Sequence, residues 1–130
     1  MIVLDGSVLI AHLDASDCHH SRAEELLLLA ADQARPLGAS PITLAEVLVD
    51  PALAGRIDQA AAALGQLGVC AVDLPRDAAV RLATLRAATT LKLPDCCVLL
   101  AADQVADAVA TFDDRLAVAV RSHGLAVWGG

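Results

Sequence analysis

Met1-Ile2-Val3-Leu4-Asp5-Gly6-Ser7-Val8-Leu9-Ile10 opens the chain with an unbroken apolar run, Ile2 to Leu4, that stops at an acid. A short β-branched run without polar alternation is the pattern of a strand buried on both faces. Similar runs recur at Val69 to Val72, Ala108 to Ala110 and Leu125 to Val127, with a weaker one around Leu37 to Ala39. Between them lie longer Ala- and Leu-rich segments with helical spacing, such as Ala23, Leu26, Leu27 and Ala30, or Ala78, Leu82 and Leu85. Strands alternating with helices predict an α/β protein, a three-layer α/β/α sandwich around a mostly parallel sheet of about five strands.

At 130 residues the chain has room for one substantial core, and no repeat or low-complexity linker divides it, so residues 1–130 are expected to form a single domain. Apolar residues make up 57% of the chain, yet no apolar run approaches the roughly 18 residues a bilayer span needs. An acid at the fifth position and the lack of a basic leader argue against export. A soluble cytoplasmic protein, with no membrane partner, is expected. The four cysteines, Cys18, Cys70, Cys96 and Cys97, have neither zinc-type spacing nor disulfide-scaffold density, and read as reduced, mostly buried thiols. Asp17, Cys18, His19 and His20 contain metal-ligand types, but neighbouring side chains seldom converge on one ion, and a polar helix start explains them as well.

The net charge of −7, sixteen acids against nine bases, excludes a broad basic surface for nucleic acid. With aromatics at 2%, platforms for base stacking are expected to be missing. Any nucleic acid has to be held another way.

Ligands of parallel sheets sit beyond the carboxyl ends of the strands, which directs attention to the acids there. Asp5 ends the first run, and Ser7 is placed to hydrogen-bond its carboxylate; a helix cap is the plain alternative. Asp113 and Asp73 each follow a later run, and the two cannot both be central. Asp113 or Asp114 can cap the following helix, with Asp113 nearer the strand end. Glu46 lies in an apolar stretch, where Thr43-x-x-Glu46 has the spacing of a capping box. Asp95 follows Pro94 in the first turn of a very apolar helix, where the helix dipole alone favours an acid. Individually each has a structural explanation. Together they stand on one expected edge of the sheet, and two charges about 4 Å apart at an effective dielectric of about 20 repel by about 4 kcal/mol. Such a group protonates, spreads or binds cations, and hard oxygen donors suit Mg²⁺ or Mn²⁺.

At these residues the sequence resembles the PIN-domain ribonucleases, in particular the VapC-type toxins of bacterial toxin–antitoxin pairs. Four segments carry the likeness in order: Ile2 to Ser7, Ser40 to Leu48, Leu91 to Asp95, and Ala110 to Leu116. The resemblance implies that Asp5, Glu46, Asp95 and Asp113 are catalytic metal ligands for Mg²⁺ or Mn²⁺, with Ser7 and Thr111 as hydroxyls beside them; Asp114, from its place beyond the strand end, reads as an accessory or solvated acid. It departs from the family at Asp114, where a basic residue is common, and at Gly6, smaller than the usual residue. Implied too are hydrolysis of RNA to 5′-phosphate and 3′-hydroxyl ends, a homodimer, and a VapB-like antitoxin over the cleft. Arg86, Lys92 and Arg115 lie near the motifs, as RNA contacts or as a solvated helix face.

Two other readings remain. A phosphoryl-transfer enzyme with an aspartate nucleophile needs a second acid two residues after Asp5, where Ser7 stands. A catalytically silent partner-binding module would use the same acids only as caps.

Overall fold

The computed structural model describes residues 1–130. Five strands, β1 (Ile2–Leu4), β2 (Leu37–Ala39), β3 (Val69–Ala71), β4 (Ala108–Ala110) and β5 (Ala126–Val127), form one sheet in the order β3-β2-β1-β4-β5. Every pairing is parallel. Side-chain alternation along β1 sends Ile2 and Leu4 to one face and Val3 to the other, and all three are buried. Apolar residues at every position are what a strand covered on both faces requires.

Helices α1 (Gly6–Leu13), α2 (His20–Asp32), α3 (Pro41–Leu53) and α4 (Ile57–Leu67) bring Val8, Leu9, Leu27, Val47 and Leu64 against Ile2 and Leu4. On the other face α5 (Ala78–Ala88), α6 (Leu93–Val105) and α7 (Asp114–Ser122) bring Leu82, Leu99, Leu116 and Val120 against Val3 and Val109. The predicted α/β/α sandwich with a parallel sheet is what forms. Residues Cys96 to Ala102 are all buried, because α6 packs against β1, α5 and α3 together. That accounts for its all-round apolar sequence.

Several local readings change, and Val72, expected in the third run, lies just beyond β3. Leu125 falls outside β5 because its N–H bonds to Val120 O at 3.1 Å and so belongs to the end of α7. The capping box at Thr43 and Glu46 does not form: Ser40 is the N-cap, its hydroxyl accepting from Ile42 N at 3.2 Å, with Pro41 opening the helix. Thr43 is buried in the first turn, and Glu46 is exposed further along α3. Of the cysteines only Cys96 and Cys97 are buried; Cys18 and Cys70 are exposed free thiols, so the expectation of mostly buried thiols holds for half of them. No helix is long and apolar enough to cross a membrane.

The strand order locates the site. From β1 the chain moves outward through β2 to β3, then returns to β4 and continues to β5 on the other side. The order in which strands are added therefore reverses between β1 and β4, and the crevice beyond their carboxyl ends is where such folds bind ligands. Asp5 follows β1 and Asp113 closely follows β4, whereas Asp73 follows the edge strand β3.

Candidate active site

Asp5 is the most constrained of the acids, with 8% of its surface exposed. One carboxylate oxygen accepts from Gly6 N at 2.8 Å, which caps α1. The other accepts from the hydroxyls of Ser7 at 2.7 Å and Thr111 at 2.8 Å. Those hydroxyls accept in turn from backbone N–H groups of the β4–α7 connection, Ser7 from Phe112 at 3.0 Å and Thr111 from Asp113 at 3.0 Å. One carboxylate thus joins the ends of the two central strands. Hydrogen bonds to a charged acceptor contribute about 1.5–3 kcal/mol each, enough to hold this junction in one geometry.

Asp113 is the N-cap of α7, one oxygen accepting from Arg115 N at 2.8 Å and Leu116 N at 3.1 Å. Its second oxygen has no hydrogen-bond partner in the chain, and the residue lines the crevice. Asp114, the first residue of α7, is exposed. Asp95 is half-buried in the first turn of α6, held there by the turn that Pro94 initiates. A cleft of about 310 Å³ brings Asp95, Asp113 and Asp114 together with Lys92 and Arg115. Arg86 does not line it; this residue lies on α5, where its charge acts on Cys96.

The acids act on one another through space. Burial pushes the Asp95 carboxyl above the ordinary carboxylate range, and the negative charges of Asp5, Asp113 and Glu46 push it further in that order. A helix N-terminus favours a carboxylate by about 0.3–1 kcal/mol, so here burial and like charge outweigh the dipole. The consequence for stability has a definite sign. With its folded pKa raised, Asp95 contributes stability below the ordinary carboxylate pKa that is lost as pH rises through the elevated one. Asp95→Asn is therefore expected to melt a few degrees higher than the parent at neutral pH in chelator, the difference closing as pH falls below the carboxylate range. Melting curves followed by circular dichroism across that range test this; an equal or lower Tm at neutral pH would contradict the repulsion.

No three of the four acids bring oxygens within 4.8 Å of one another, a distance that only Asp17, Cys18 and His19 meet. Those three are drawn together by a tight turn: Asp17 accepts from His19 N at 2.8 Å, and Cys18 Sγ lies 3.4 Å from His19 Nδ1. They form the polar start of α2. For the four acids the wider spacing suits a hydrated ion. Mg²⁺ keeps several waters and takes one or two carboxylates directly, which fits Asp95 and Asp113 on the cleft wall, while Asp5 and Glu46 lie outside that wall and act on Asp95 through their charge. The sequence offered His19 only as a metal-ligand type and did not pair it with Phe112, yet their rings stack beside this site with centroids 4.6 Å apart. The only signal was the position of Phe112 between Thr111 and Asp113.

A parallel α/β/α sandwich with carboxylates gathered where its strand order reverses defines a class of acid-cleft α/β proteins. Within it the chain belongs to the PIN domain family, whose model matches residues 2–121. Its fold is similar to that of VapC20 from Mycobacterium tuberculosis, a sarcin-ricin loop cleaving toxin. The TM-score is 0.74 at 17% identity, covering 92% of this chain and 95% of that one. It is also similar to a chain of a toxin–antitoxin complex from Klebsiella pneumoniae, with a TM-score of 0.70, 24% identity and 92% of both chains covered. At these identities the likeness is one of fold. Comparison with curated protein sequences finds no match.

Proposed function

We propose that this chain is a metal-dependent endoribonuclease that hydrolyses RNA phosphodiester bonds in the cytoplasm, acting through one PIN-like domain as the toxin of a VapBC-type pair. The observation that supports this most is the strain on Asp95, whose carboxyl feels Asp5, Asp113 and Glu46 at once beside a cleft in a PIN fold. A divalent cation relieves that repulsion, and the four acids would hold it. Mg²⁺ or Mn²⁺ held by these residues would supply Lewis-acid activation of the scissile phosphate and of an attacking water.

The chain's own residues supply geometry and charge. Ser7 and Thr111 fix the Asp5 carboxylate, and the cap bonds of Asp113 hold one of its oxygens on the wall of the cleft. Lys92 and Arg115 on the cleft wall would draw the RNA backbone toward an otherwise acidic surface. The aspartate-nucleophile reading is disfavoured because Ser7, donating to Asp5 at 2.7 Å, stands where that chemistry needs a second acid.

For the antitoxin, a groove of about 440 Å³ has Ile10, Leu13, Val47 and Ala63 in its wall, where Glu46, Asp14 and Asp50 outnumber Arg56. Ile42, Val49, Leu53 and Ile57 are exposed on α3 and the start of α4. An apolar segment carrying basic residues complements this combination. A homodimer completes the proposal.

Cleavage of RNA with Mg²⁺ or Mn²⁺, abolished by chelator and restored by the ion, tests the reading. The products are expected to carry 5′-phosphate and 3′-hydroxyl ends, and 2′,3′-cyclic phosphate would reject attack by water. One observation favours a silent binding module instead: Asp5 and Asp113 each have a full structural role as caps. An ion present at about a hundred times its Kd stabilises a fold by about 2.7 kcal/mol, so a Tm unmoved by Mn²⁺, without cleavage, would favour that module.

A further inference from the structure

A second cleft, of about 480 Å³, adjoins the acidic one and shares Asp113 and Asp114 with it. Its wall includes the rings of His19 and Phe112, which stack 4.6 Å apart at an interplanar angle of 14°. Phe112 is half-buried against the core, and the His19 side chain is 53% exposed. The edge of the imidazole is held, with Nδ1 3.4 Å from Cys18 Sγ and 3.8 Å from an Asp17 oxygen, while the ring retains exposed surface. A flat ring held in place before binding loses little freedom when another ring stacks on it.

We propose that this cleft is a base-binding subsite, in which the His19–Phe112 pair stacks a nucleobase of RNA next to the scissile phosphate; it rests on the ribonuclease reading above. Position supports it, since an occupant touching Asp113 is adjacent to the catalytic cleft. Charge supports a base in particular: Asp113 and Asp114 repel a phosphate on the shared wall but leave an uncharged ring unopposed. Arg121 and Val118 on the remaining wall provide a cation and an apolar surface for the rest of the nucleotide. The chain's only Trp is committed elsewhere, its indole N–H donating to Leu26 O at 3.0 Å beneath Arg35. Scarcity of aromatics therefore does not mean that stacking is missing: the one Phe stands beside the site.

The test uses a short RNA containing a cleavage site, with an abasic ribose moved through each position around the cut. In the parent, abasic substitution at one flanking position is expected to raise KM about tenfold with little change in kcat, as the loss of one stacked base would. His19 makes no side-chain cap bond to α2, so His19→Ala leaves the helix start intact. In that variant the abasic penalty is expected to disappear, and His19→Phe is expected to restore it. A penalty of equal size in parent and His19→Ala, or none at any position, with cleavage intact, would overturn the subsite and leave the nuclease reading standing. A second arm titrates single-stranded RNA carrying 2-aminopurine at the flanking positions with the parent in Ca²⁺. Fluorescence quenching lost in His19→Ala would support the subsite even if the parent cuts no RNA, an outcome that rejects the nuclease reading alone. Neither quenching nor cleavage would reject both.

Discussion

Asp5→Asn is expected to lower RNA cleavage by about 10³-fold while leaving the fold intact. Removing one unit of charge about 4 Å from a cation, at an effective dielectric of about 20, forfeits about 4 kcal/mol, and each 1.36 kcal/mol is a factor of ten in rate. The fold survives because an amide reproduces the cap. Its oxygen can accept from Gly6 N, and its NH₂ can donate to the hydroxyls of Ser7 and Thr111, which turn to accept. Both hydroxyls keep their bonds from Phe112 and Asp113, so the junction between β1 and β4 persists. Initial rates on RNA in Mn²⁺, with Tm recorded on the same preparations, separate the two effects. Activity equal to the parent's would remove Asp5 from the chemistry. A large fall in Tm would mean that its charge, not only its shape, holds the strands.

Much of this arrangement is legible in the sequence because burial on both faces leaves no room for polar residues. Ile2 to Leu4 and Ala108 to Ala110 declare central strands, and an acid placed just beyond such a run stands at the binding edge of the sheet. The weak signal of β2 has a packing cause. Gly38 lowers strand propensity, yet a Cβ there would come within 2.6 Å of Met1 Sδ and 2.9 Å of Val72 Cγ2, so the sheet needs a residue without one. The capping box misled because spacing alone does not say where a helix begins; Ser40 and Pro41 start α3 three residues before Thr43. What spacing cannot reveal is contact across the chain. The bond from Thr111 to Asp5 and the stack of His19 on Phe112 join residues that only the β1–β4 adjacency and the entry to α2 bring together. Counting aromatics without placing them also gave no sign of the His19–Phe112 stack.

The neighbouring acids Asp113 and Asp114 make the final contrast, because helix geometry gives them different tasks. Asp113→Asn is expected to reduce cleavage by about 100-fold or more, on the scale of removing a group that faces the reacting charge. It should leave Tm nearly unchanged, since Asn is as good an N-cap as Asp and its oxygen can accept from Arg115 N and Leu116 N. Asp113→Ala removes charge and cap together, and should lose the same activity plus about 1 kcal/mol of stability. Asp114 begins α7 and makes no side-chain hydrogen bond, and it lines both clefts without a fixed geometry. Asp114→Asn should accordingly stay within about threefold of the parent, a change of less than about 0.7 kcal/mol in barrier. Rates for the three variants at saturating Mn²⁺, read beside their melting temperatures, decide between the two acids. If Asp114→Asn were the inactive one, the fourth ligand would be the first residue of the helix, and the free oxygen of Asp113 would be only a solvated part of its cap.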